Sequence, residues 1–194
     1  SNKTLRFKQY NVHDFAWFAD KRFNVLQGEV ELPKSNKTVT TWGLFTNKNL
    51  PLWKDSRAYL NDATFFYSLW NGDYQYNHVT AIDGTISAGG GMEYPNITVI
   101  GNSSNAMELE TTIMHEVGHN WFYGMLGSNE RVHGWMDEGI NSFNEMRYIR
   151  TKYPSATLGA MFGRDSTFTL GGLNKFKQAQ QYELLYKYSA SQNI

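Results

Sequence analysis

Two histidines four positions apart, His115 and His119, constrain this chain more than any other feature, because their spacing fixes its central element as a helix. On a helix, residues at that interval lie on one face, so both imidazoles can aim at a single point where a divalent ion such as zinc fits. Glu116, beside His115, can reach a water on that ion. His115-Glu116-Val117-Gly118-His119 is therefore an H-E-x-x-H pattern, the motif of metal-dependent peptidases.

A catalytic zinc takes three protein ligands and keeps a fourth position open. The third ligand suggested by the sequence is Glu138, nineteen positions past His119. Between them stand Gly124, Gly127, Ser128, Asn129 and Gly134, enough breakers to end one helix and turn back into another that carries Glu138 in its first turn.

His119, eighteen residues and then Glu138 is the spacing of the M1 aminopeptidases, a gluzincin family that this sequence resembles. The resemblance extends to Gly89-Gly90-Gly91-Met92-Glu93, matching a Gly-x-Met-Glu-Asn segment with Tyr94 in place of the usual Asn, and to Trp121-Phe122-Tyr123-Gly124 and Glu138-Gly139. It implies an α+β thermolysin-like zincin lobe with a mixed twisted sheet and an HExxH active-site helix. It also implies one Zn2+ per chain on His115, His119 and Glu138, with Glu116 as general base. Gly91, Met92 and Glu93 would bind the substrate, Glu93 holding the free amino terminus of a peptide. The oxyanion-stabilising Tyr of such enzymes follows the third ligand by about sixty or more residues, which places it beyond Ile194. Contacts with amino- and carboxy-terminal domains lying outside this chain are expected too, so the isolated chain should bind zinc and turn over slowly.

The rest of the chain is read as one domain over residues 1–194, with 1–104 mainly sheet and 105–194 mainly helical. Leu5 to Val12 alternates loosely and predicts a strand, followed by an aromatic cluster whose Phe15 and Trp17 are expected in the core. Phe23 to Leu32, Thr38 to Phe45, His78 to Ile82 and Asn96 to Ile100 predict further strands, and the glycine-rich segment an edge strand suited to pairing with an extended peptide. One helix is expected from Leu50 to Asn71, burying Trp53, Ala58, Leu60, Ala63, Phe65, Phe66 and Leu69. The histidine helix is expected to start at Asn105, with Glu108 completing a capping box and Leu109, Ile113, Val117 and Trp121 forming its buried stripe. A second helix should run on to Lys152, and another from Leu173 to about Tyr188. Asp137 is either a support for a ligand or a solvated acid; Glu110, Glu130 and Glu145 are read as surface charges.

Composition narrows the function classes. Lys plus Arg and Asp plus Glu stand at 18 each, so no overall field favours nucleic acid. No apolar run is long enough to span a membrane, and the absence of cysteine rules out thiolate ligands. The Asn-rich, cysteine-free composition leans toward an exported, periplasmic bacterial protein. The expected activity is removal of amino-terminal residues from peptides. A thermolysin-like endopeptidase is disfavoured by Gly91-Met92-Glu93. A zinc-binding recognition fragment without turnover is disfavoured by Glu116, since a structural zinc has no use for a base.

Overall fold

Strict alternation builds the first two strands, β1 (Asn24–Glu31) and β2 (Thr38–Phe45), in which every second residue of β2 is buried. They pair antiparallel through a tight connection closed by the Leu32 amide on the Lys37 carbonyl (2.8 Å). In the computed structural model, which describes residues 3–84, 86 and 90–154, three more strands complete a mixed sheet: β3 (His78–Asp83), β4 (Gly91–Met92) and β5 (Ile97–Ile100). Their order is β1-β2-β3-β5-β4, with β2, β3 and β5 mutually parallel and β4 antiparallel to β5 at the edge. The short β4 thus leaves one side of its backbone unpaired among the described residues.

Parallel β2 and β3 require a crossover, which the helices α1 (Leu50–Trp53) and α2 (Ser56–Asn71) supply. The single helix expected here is interrupted at Lys54-Asp55, and its buried face differs from the expected one. Phe65 and Leu69 are exposed, whereas Ser56, Thr64, Tyr67 and Ser68 are buried. Small hydroxyl residues let α2 approach the sheet closely: a methyl group on Gly43 would strike Ser56, while Thr64 donates to the Leu60 carbonyl (2.8 Å) and Ser68 Oγ accepts from the Tyr74 amide (3.2 Å).

Packed between α2 and β5 lies α3 (Ala106–Gly118), the histidine helix. Asn105 caps it by accepting from the Glu108 amide (2.9 Å), and Glu108 reaches back to the Ser104 amide (2.7 Å), one residue earlier than a capping box requires. Leu109, Ile113, Val117 and Trp121 are buried along one stripe. Burying each of these side chains contributes roughly 1.5–3 kcal/mol. α4 (Ile140–Lys152) packs across α3 and ends at Lys152 as expected.

Three expectations are corrected here. Residues 5–12 form no strand: no described neighbour pairs with them, and the Asn11 carbonyl accepts from Tyr76 (3.2 Å). Phe15 and Trp17 are not core residues among the described residues: both are exposed, Trp17 at 71 %. Glu110 is buried rather than solvated. It accepts from Lys152 Nζ (2.5 Å), Tyr148 (2.7 Å) and Tyr153 (2.6 Å), which clamps the middle of α3 to the end of α4. Gly89 and the expected helix 173–188 lie outside the described residues. No described helix is long and apolar enough to cross a membrane.

Candidate metal centre

The site forms where the carboxyl half of α3, the start of α4 and the edge strand β4 meet. Asn141, fully buried in the first turn of α4, donates to the His115 carbonyl (2.8 Å) and accepts from Tyr67 (3.0 Å). A side chain on Gly118 would collide with both Asn141 and Tyr67, so the close crossing of α3 and α4 depends on that glycine. On the other flank Asn120 donates to the Val117 carbonyl (2.9 Å) and accepts from the Asn96 amide (2.9 Å). The end of α3 is thereby pinned to the turn between β4 and β5, which carries Glu93.

Past His119 the backbone widens over Asn120–Met125 and kinks, with Tyr123 at φ 103 and ψ −65. This is a rare conformation for a residue other than glycine, and such strain clusters at functional sites. Here the kink frees the Phe122 carbonyl from helical bonding and presents it to His119 Nδ1 at 3.1 Å. A second wide turn, Trp135–Gly139, runs without a break into α4 and carries Glu138 in the opening turn of this helical stretch, as expected. Wide turns of this type often accompany functional sites.

Three donors converge. His115 Nε2 lies 3.1 Å from His119 Nε2 and 3.2 Å from Glu138 Oε2, and His119 Nε2 lies 3.8 Å from the same oxygen. Zinc with ligands at about 2.0–2.1 Å in tetrahedral array separates them by about 3.3 Å, so the triangle has the size of one tetrahedral face. The far ring nitrogens are occupied as ligand imidazoles require. His115 Nδ1 faces Glu145 Oε2 (3.1 Å), and His119 Nδ1 faces the Phe122 carbonyl. Glu145 is thus no surface charge, and its role had no local signal: it becomes visible only when α4 crosses α3. Asp137 is buried too. Its Oδ1 lies 2.6 Å from His119 Nδ1, close enough to act as counter-ion to a protonated imidazole, although no aligned hydrogen bond joins it to a described residue.

Glu116 stands beside the triangle, buried, and its Oε2 has no hydrogen-bond partner among the described residues. A methyl group on Gly91 would fall on its carboxylate, so Gly91 serves to admit Glu116 against β4. Met92 is placed through its backbone, by pairing with Val99 and by its carbonyl accepting from Thr98 (2.9 Å). Carboxylate oxygens of Glu93 and Glu116 and a ring nitrogen of His119 lie within 4.8 Å of one another. A second acidic group, Glu93, Glu130 and Asp137, converges within the same limit.

The metal-free electrostatics follow from this crowding. Burial pushes the Glu116 carboxyl up to about 7, against the pull of the two histidines. Burial also raises Glu93. For His119 burial acts downward, but the Asp137 carboxylate outweighs it and lifts the imidazole to about 9. His115 is likewise raised well above its ordinary value, since Glu138 and Glu145 overcome burial. These protons must leave for a metal to bind.

No protein-family model matches the chain. Mouse Aminopeptidase Q is 26% identical over 110 residues, covering 51% of this chain and 20% of that protein. An M1 zinc metallopeptidase of Deinococcus radiodurans superposes with a TM-score of 0.54 at 14% identity, over 81% of this chain and 33% of the other. The fold is that of an M1 zinc metallopeptidase. Legionella pneumophila aminopeptidase A shows the same M1-like arrangement, with a TM-score of 0.55 at 11% identity over 66% of this chain and 16% of its own. This chain therefore spans a third or less of the M1 structures and a fifth of the mouse relative.

Proposed function

We propose that this chain carries the metal centre of a zinc-dependent aminopeptidase and hydrolyses amino-terminal residues from peptides. The observation that carries the reading is the triangle of His115, His119 and Glu138 with buried Glu116 beside it, its Oε2 unpaired among the described residues. The donor set of two imidazoles and one carboxylate, with backing groups on both imidazoles, suits a catalytic zinc. Zinc held there would supply acidification of a water toward neutral pH and polarisation of the scissile carbonyl.

The chain's own residues then divide the remaining work. Glu116, whose carboxyl sits at about 7 in the metal-free site, takes the proton of the attacking water and returns it to the departing amine. Glu93, within 4.8 Å of Glu116 and His119, pairs with the α-ammonium group and sets the cut one residue from the amino end. The open side of β4 offers main-chain hydrogen bonds to an extended substrate. Gly91 keeps that strand close enough for Glu93 and Glu116 to act on the same substrate.

A free tripeptide and its amino-acetylated form test this reading in the slow hydrolysis expected of the chain alone. The free peptide should lose its first residue, and acetylation should reduce the rate by about 100-fold or more, the scale of a lost charge-assisted contact. Equal rates, or internal cleavage of the blocked peptide, would instead identify an endopeptidase.

A further inference from the structure

One buried side chain at the site is used by none of the chemistry above. Asn141 is 0 % exposed where α4 meets two other helices, and it bonds one group on each: the His115 carbonyl of α3 (2.8 Å) and the Tyr67 hydroxyl of α2 (3.0 Å). The His119 amide, which an unbroken α-helix would give to the His115 carbonyl, goes to the Val117 carbonyl instead. Asn141 Nδ2 therefore stands in for a backbone donor at a residue whose ring faces the metal position. Only Nδ2 can serve a carbonyl, so Oδ1 must face Tyr67 and the phenol must donate to it. Tyr67, itself fully buried, thus fixes which way the Asn141 amide points.

We infer that Asn141, oriented by Tyr67, is a positioning residue that sets the distance between His115 and Glu138 and so the zinc affinity of the centre. The inference rests on the metal-centre reading of His115, His119 and Glu138. The separation of the two histidines is set within α3, but Glu138 comes from another element and needs a link across the gap. Asn141 stands three residues after Glu138 on the same unbroken helical stretch, so its bond to the His115 carbonyl fastens the third ligand to the first. Glu145 holds the His115 ring; Asn141 holds its backbone. With both in place His115 Nε2 and Glu138 Oε2 stand 3.2 Å apart. The packing of α4 does not hang on the Asn141 bond. Asn144 accepts from Asn71 (3.2 Å), and Glu110 accepts from Tyr148 (2.7 Å) and Tyr153 (2.6 Å).

The test is zinc affinity, by chelator competition at a temperature well below the melt, of the whole chain and its Asn141→Ala, Tyr67→Phe and Asn144→Ala variants. Asn141→Ala should bind zinc about tenfold or more weakly, the scale for loss of a group that orients a ligand. Tyr67→Phe, which removes one hydroxyl and little volume, should lose about threefold, the scale of one neutral hydrogen bond. Asn144→Ala, which also loosens α4 but touches no ligand, should stay within about twofold of the parent. A purely structural link would lower the melting temperature of metal-free Asn141→Ala and leave the zinc affinity of the folded variant at the parent's value, which overturns the inference. So does an equal loss in Asn144→Ala. If Asn141→Ala does not fold, Tyr67→Phe decides, a parent-like affinity overturning the inference and a loss upholding it. A parent that binds no zinc overturns the metal-centre reading as well; a parent that binds zinc no better than these variants overturns the inference alone.

Discussion

Replacing Glu116 with glutamine should leave zinc bound and lower peptide hydrolysis by about 100- to 10,000-fold, the range that one general base supplies. Glutamine keeps the shape of the side chain beside Gly91 and removes only its ability to take a proton. The same substitution should stabilise the metal-free protein above pH 7. Glu116 has a folded pKa of about 7 against 4.5 for the free side chain, so its charge is disfavoured by folding. The cost is absent below the lower value, grows as pH rises, and reaches at most about 3 kcal/mol above the upper one. Thermal melts at pH 8 and hydrolysis rates on one variant check both halves. A variant that is inactive but no more stable without metal would separate the catalytic role from the burial argument.

Removing zinc should have the second largest effect, and its size should depend on pH. In the metal-free protein His119 titrates near 9, above its ordinary 6.5, so the stability it contributes is complete below 6.5 and lost as pH rises through 9. Glu116 acts in the same direction between 4.5 and about 7. Metal-free protein should therefore melt at progressively lower temperature from pH 5.5 to 8.5. Zinc binding runs the other way, because imidazole protons compete with the metal. At a free zinc concentration near 100 times the dissociation constant, stabilisation of about 2.7 kcal/mol should raise the melting temperature by roughly 5–10 °C. The gap between zinc-loaded and chelated samples should widen steadily with pH; a constant or shrinking gap contradicts the assignment of His119 as a ligand.

How much of this was legible in the sequence depended on the range of the interactions. The alternation in β1 and β2, the stripe of Leu109, Ile113, Val117 and Trp121, and the Asn105 cap are local patterns, and each lies where it was expected. The His115–His119–Glu138 convergence was legible because helical spacing and one loop length set it. Glu145 and Glu110 were misread because their partners are 30 and 42 residues away, on an element whose crossing angle no local pattern reports. Leu5 to Val12 had the alternation of a strand but no partner edge among the described residues, and a strand exists only as a pair. The kink at Tyr123 was likewise hidden. Its left-handed backbone is held by the fold around it rather than by any preference of tyrosine for that conformation.

The measurement that tests the account most directly is the zinc content of the purified chain alongside its His119→Ala and Glu138→Ala variants. About one zinc per unmodified chain, lost from both variants while they remain folded, is the predicted result. An unmodified chain that holds no zinc when zinc is supplied, or variants that hold as much as the parent, would contradict the three-ligand centre and with it the proposed hydrolysis.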